Sequence, residues 1–171
     1  MGEIYDVVDE KDNVTGEATW TEVHAKGLLH RTVAILVFKD KTKKELLIQK
    51  RSQKMTSPGK WENPGGHVQK GDTYFEAVKK ELNEELFSGK SLPDLEIREV
   101  CRFLIHDYEN NFEKHRLFET YCPGPFYLDH DEVSEVKFVN FDWLLGDIEK
   151  NPGKYSNAFK IQLKEYKKQN A

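Results

Sequence analysis

The stretch GGHVQKGDTYFEAVKKELNEELFSG, Gly65 to Gly89, constrains this chain more than any other part of it. Two glycines let the backbone pass close to a neighbour, or take positive φ, before a helix begins. Thr73 to Phe87 contains no Gly or Pro, and its Glu, Lys, Leu and Ala favour a helix. Phe75, Val78, Leu82 and Leu86 recur at helical spacing, so their stripe is expected to pack inward. Glu81, Glu84 and Glu85 stand at i, i+3 and i+4 and share a neighbouring stripe. Three carboxylates so placed repel one another. A hard divalent cation between them, Mg²⁺ or Mn²⁺, would relieve the repulsion, because both prefer oxygen ligands.

The remaining composition narrows the class. A chain of 171 residues suits one domain, 1–171, with a sizeable core. Hydrophobic residues make up 37% and charged residues 33%, the balance of a polar globular chain rather than a disordered one. Net charge is −4 with no basic tail, which argues against a binder of nucleic-acid polymers or membrane surfaces. No apolar run is long enough to span a bilayer, and the N-terminus lacks the layout of a signal peptide. Cys101 and Cys122 have no partners at zinc-site spacing and read as thiols in a reducing cytosol. The expected location is therefore cytoplasmic. A homodimer is left open.

In chain order, strands are expected at 3–8, 14–19, 28–38, 45–49, 61–62, 95–105, 115–121 and 136–141. The run Val33–Phe38 is continuously apolar and reads as the central strand. Thr21 is the expected cap of a short helix ended by Gly27, and Asp142 the cap of a helix over 143–148. A last helix starts at Ser156. Asp107 to Asn111 reads as a polar turn. Helices on both faces of a mixed α/β sheet are the expected packing.

The organising stretch resembles the Nudix box, G-x5-E-x7-R-E-U-x-E-E-x-G-U, where U is bulky and apolar. Gly66, Glu81, Leu82, Glu84 and Glu85 match. Asp72 stands where the pattern has Glu and Lys80 where it has Arg, so the charge pair that braces loop against helix keeps its signs in altered form. Phe87 and Ser88 depart from the final Gly-U pair. The resemblance implies an α/β/α sandwich, with Glu84 and Glu85 as main metal ligands, Glu81 as ligand or base, and the Gly66 carbonyl as a further ligand.

A wider resemblance covers TEVHAKGLLHRTVAILVF and LLIQKRSQKMTSPGKWENPGGHV. These runs look like the Nudix branch that includes isopentenyl-diphosphate isomerase. There a metal is held by three His and two Glu. The matching positions here are His24, His30, His67, Glu113 and His115, so one Glu has become His. His24 and His30 also stand one residue closer together than in the isomerase. Arg51 and Lys54 match diphosphate-binding positions of that branch, with a solvated basic loop as their alternative reading. Glu132 and Glu135 lie in a segment resembling a late acidic loop that reaches the metals in some members. The isomerase also needs a Cys in the Gly-rich loop, and Asn63–His67 contains none.

The resulting expectation is a metal-dependent hydrolase acting on a diphosphate linkage, most often in a nucleoside diphosphate derivative, through a metal-activated water. Two alternatives stand beside it: isopentenyl-diphosphate isomerisation, and a Nudix-like module that binds a nucleotide without turnover.

Overall fold

The computed structural model describes residues 2–106 and 110–169. The expected turn at 107–111 therefore lies in part outside the described residues. Nine strands form one mixed sheet: β1 (Ile4–Val8), β2 (Val14–Thr19), β3 (His30–Phe38), β4 (Glu45–Arg51), β5 (Trp61–Glu62), β6 (Gly65–His67), β7 (Arg98–Ile105), β8 (Glu113–Tyr121) and β9 (Val133–Asn140). Four α-helices accompany them: α1 (Trp20–Lys26), α2 (Tyr74–Phe87), α3 (Phe141–Lys150) and α4 (Asn157–Gln169).

β3 is the axis of the sheet. One edge pairs in parallel with β8 over its whole length, from His30↔Glu113 to Phe38↔Tyr121. The other edge is shared by three strands. β1 meets it at His30, β6 at Thr32–Ala34 and β4 at Phe38. A strand covered on both edges and both faces must be apolar nearly throughout. Its side chains alternate between two cores. Val33, Ile35 and Val37 pack with Val78, Leu82 and Leu86 of α2. Ala34, Leu36 and Phe38 pack with Leu144 of α3 and with Phe159 and Leu163 of α4. The expected α/β/α sandwich is the observed one.

Several local expectations shift. Thr19, not Thr21, caps α1, because Glu22 stands three residues after it and completes a reciprocal capping box. Asn140, not Asp142, caps α3 by accepting from Trp143 N at 2.9 Å. β7 starts later than expected, at Arg98, and β9 starts earlier, at Val133. Phe75 does not point inward; it is 44% exposed, and Tyr74 takes the buried place in line with Val78, Leu82 and Leu86. The Gly-rich segment after Pro64 is a strand rather than a loop, since its backbone pairs with β3. Among the described residues no helix is long and apolar enough to cross a membrane.

Candidate active site

Two groups of ionisable side chains meet at β6. The first hangs from α2. Thr73 caps this helix, accepting from Glu76 N at 3.2 Å while Glu76 accepts from Thr73 N at 2.8 Å. That fixed start sets the rotation of the helix and aims Glu81 and Glu85 at the back of β6. Glu85 is fully enclosed. Its Oε1 accepts from Gln49 Nε2 at 2.9 Å and its Oε2 from Gly65 N at 3.0 Å. Burial, then the nearby Glu81 and Glu62, push its carboxyl well above the ordinary range. Burial, then Glu84 and Glu132, push Glu81 up to about 8, with Lys80 opposing. The Glu81 carboxylate lies against Gly66, where a Cβ would come within 2.6 Å of Glu81 Cδ. Glu84 is exposed at the rim. Glu132 is raised by burial and by Asp129 and Glu84.

The second group is on the other side of β6. His24 comes from α1, His30 from the start of β3, His67 from the end of β6 and Glu113 from the start of β8. Their ligand atoms all lie within 4.8 Å of one another, the one such group among the described residues. The rings of His30 and His67 stack at 5.1 Å. His24 Nδ1 donates to Trp20 O at 2.8 Å and His30 Nδ1 to Leu28 O at 2.8 Å, which leaves each Nε2 as a lone-pair donor. The buried Nε2 atoms of His30 and His67 have no hydrogen-bond partner among the described residues. Burial, aided by His30 and His24, pushes His67 down to about 3, and burial likewise lowers His30. Three imidazoles, two of them anchored to backbone carbonyls through Nδ1, plus one carboxylate, are a donor set suited to a divalent transition ion.

The expected site residues divide between these places. Glu81 and Glu85 converge on β6, while Glu84 stays outside; the three do not form a group as tight as the histidine one. His115 lies apart from the four ligand candidates. It is buried, with Nδ1 2.8 Å from Thr32 Oγ1 and Nε2 3.3 Å from Gln162 Nε2. Arg51 sits inside. Its Nε and Nη2 bond Thr56 at 2.6 and 3.0 Å, and its Nη1 bonds Glu62 at 2.6 Å. Lys54 is exposed and paired with Asp131 at 2.6 Å. Glu135 is exposed on β9, 4.0 Å from Lys50. Asp72 and Lys80 make no ion pair with each other among the described residues. Asp72 instead lines a surface pocket with Arg31, Tyr74 and Arg116. Cys101 and Cys122 are both free, and burial pushes the Cys101 thiol up to about 11.

A cavity of about 410 Å³ opens on the histidine side. Trp20 and His24 of α1, Gly65–His67 of β6, Glu113 and His115 of β8, Arg51, and the first turns of α4 line it. None of Glu81, Glu84 and Glu85 does. The two glycines of β6 thus form a thin wall, with the cavity on one side and the helix carboxylates on the other. Thr32, Glu62, Asn111 and Gln162 also line the cavity. Sequence reasoning missed them, because each is a polar residue inside or beside an apolar pattern. Trp20, 45% exposed at the mouth with its ring 4.4 Å from that of His24, was missed as well.

Comparison with known proteins agrees with this geometry. The NUDIX domain model matches residues 28–159. The chain is 34% identical over 166 residues to isopentenyl-diphosphate Delta-isomerase 2 of Photorhabdus laumondii, covering 94% of this chain and 90% of that protein. It is 33% identical over 134 residues to an uncharacterized Nudix hydrolase of Pseudomonas aeruginosa, covering 77% and 75%. The crystal structure of DR0079 from Deinococcus radiodurans shares the fold with a TM-score of 0.74 at 22% identity, over 95% of this chain and 98% of that one. The chain therefore belongs to the Nudix family, as a Nudix-type hydrolase in the branch shared with the isopentenyl-diphosphate isomerases.

Proposed function

We propose that this protein, folded as one domain, hydrolyses the diphosphate linkage of a nucleoside diphosphate derivative or a related small molecule. The observation that carries the reading is the pair Glu81 and Glu85, two carboxyls enclosed behind β6 with like charges as neighbours. Such a pair stays protonated or takes a cation. Glu81, Glu84, Glu85 and the Gly66 carbonyl would hold Mg²⁺ or Mn²⁺. When bound, the ion supplies charge neutralisation for the phosphates and a more acidic water for attack on phosphorus. One of the glutamates would serve as the general base. Arg51 has five N–H donors and spends three on Thr56 and Glu62, so the others remain for phosphate oxygens. Phosphate release from a panel of nucleoside di- and triphosphates, dinucleotides, nucleotide sugars and prenyl diphosphates, with either ion, is the test. Glu84→Gln and Glu85→Gln should each lower the rate about 100-fold or more. Unchanged rates would sink the mechanism. Metal-dependent turnover of any substrate excludes a purely binding module.

A specific observation weighs against isomerisation. No Cys stands in Asn63–His67, and Gly65 leaves no room for a side chain. A Cβ there would collide with Val33 O and come within 2.8 Å of Ala34 Cα. Failure to convert isopentenyl diphosphate to dimethylallyl diphosphate is the expected result.

The histidine group supports a second ion, held by His24, His30, His67 and Glu113 and chosen from the transition series by its nitrogen donors. Metal content measured after dialysis should fall by about one equivalent of Mn²⁺ or Zn²⁺ in His67→Ala. Equal content in both proteins would remove this site.

A further inference from the structure

Two of the three clustered histidines are held by backbone, and the third is not. His24 and His30 each anchor Nδ1 on a carbonyl oxygen at 2.8 Å. Neither ring nitrogen of His67 has a hydrogen-bond partner among the described residues. Metal-binding histidines almost always fix their second nitrogen on an outer partner, and that bond sets the ring's orientation. His67 must be oriented by packing instead. His30 stacks on it at 5.1 Å with 6° between the planes, and His24 meets it edge-on at 5.4 Å. Tyr5 lies against it at 5.1 Å, tilted by 39°. Among these three rings Tyr5 alone is no candidate ligand.

Tyr5 is built as a fixed wall. It is 2% exposed and packs with Ala18 and Val23. Its hydroxyl donates to Glu3 Oε2 at 2.5 Å, and Gln69 Nε2 donates to Glu3 Oε1 at 2.5 Å. Burial, then Glu3, raise the pKa of the Tyr5 hydroxyl, so the donor keeps its proton. Backbone joins the same partners. Tyr5 pairs antiparallel with Gln69, and Lys70 N donates to Ile4 O at 2.8 Å. The strand that carries Tyr5 is thus bonded to the segment that follows His67, which fixes the two rings relative to each other.

We propose that Tyr5 is a positioning residue of the histidine metal centre, its ring taking the place of the outer hydrogen bond that His67 lacks. The inference rests on the reading that His24, His30, His67 and Glu113 hold an ion. It makes the N-terminal strand β1, which supplies no ligand, part of the support of that centre. It also separates the two ends of the tyrosine. The ring limits rotation of the imidazole, while the hydroxyl only ties the ring to Glu3. An aliphatic side chain fills the space but presents no flat face for the imidazole to lie against.

The test titrates Co²⁺ into metal-free wild type, Tyr5→Phe, Tyr5→Leu and His67→Ala, and reads the visible absorption that nitrogen ligands give this ion. Absorption present in wild type and absent from His67→Ala belongs to the histidine group. Tyr5→Leu should weaken Co²⁺ binding there about tenfold or more and alter the spectrum. Tyr5→Phe keeps the ring and should stay within about threefold of wild type, with the wild-type spectrum. Should Tyr5→Leu fail to fold, Tyr5→Met decides in its place, because its flexible thioether adapts to core gaps; the same tenfold loss is expected. Aliphatic variants that bind Co²⁺ as wild type does would overturn the proposal. So would equal losses in Tyr5→Phe and the aliphatic variants, which mark damage to the fold rather than loss of a ring. If His67→Ala binds as wild type does, the histidine group holds no ion and this inference falls with that reading. If that contrast holds and the Tyr5 variants are unchanged, the ion stands and only the role of Tyr5 falls.

Discussion

Glu85 shows how a single side chain can oppose the fold that holds it. In the unfolded chain its carboxyl ionises near pH 4.5; in the folded chain burial keeps the proton on to higher pH. The unfolded state therefore releases a proton first, and the stability of metal-free protein falls as pH rises above about 4.5. Glu81 acts in the same direction up to about 8. Gln at position 85 removes the penalty. The amide of Gln49 can turn over to meet it, because Gln49 Oε1 has no partner among the described residues. Thermal denaturation at pH 8 without metal should show Glu85→Gln more stable by roughly 1–3 kcal/mol, about 2–8 °C. The gap should close near pH 4.5, and saturating Mg²⁺ should close it by stabilising wild type alone; a less stable variant at pH 8 would refute the assignment. That Glu81 and Glu85 lie together was legible in sequence, because an i, i+4 spacing fixes a common face; that Glu84 turns outward was not. Thr32 and Gln162 were not legible either. Their contacts run to His115, 83 and 47 residues away in sequence, and locally they read as polar interruptions of an apolar pattern.

At the level of elements, β6 carries more constraint than its three residues suggest. Its two glycines are required for different reasons. A side chain at Gly65 would strike the backbone of β3, which cannot move without disturbing both cores. A side chain at Gly66 would strike only the end of Glu81, which can swing aside. Gly65→Ala should therefore cost about 2 kcal/mol or more in urea unfolding, by overpacking. Gly66→Ala should fold near normally and lose most of its activity. The reverse order would show that the wall of the site is misassigned. β6 was hidden in the sequence because Pro64 and two glycines signal a loop, and only pairing with β3 makes it a strand. The caps of α1 and α3 slipped by two residues for a simpler reason. Each lies in a run with two competent capping residues, and for α1 the deciding signal, Glu22 three residues after Thr19, was present.

Across the whole molecule, β3 joins two cores and gives three buried side chains to each, with β4 and β8 feeding both beside it. Ile35 faces α2 and Leu36 faces α3 and α4, and both are fully buried. Ile35→Ala and Leu36→Ala should each cost about 2–5 kcal/mol. Near- and far-ultraviolet circular dichroism should lose signal together in both variants, as one cooperative unit. Separate transitions would mean that the two layers unfold independently. The layered architecture was legible early, because an apolar run flanked by amphipathic helices admits few other packings. The parity of β3 also governs how the family can change its length. Odd positions serve one layer; His30, Thr32 and Ala34 serve the other, where the cavity lies. One residue inserted within β3 would hand every later side chain to the opposite layer and exchange core for site. One residue gained or lost at the Gly27 turn alters a surface connection and leaves that parity intact. The one-residue difference in spacing between His24 and His30, relative to the isomerases, spans this turn, where evolution could edit the chain without rewriting it.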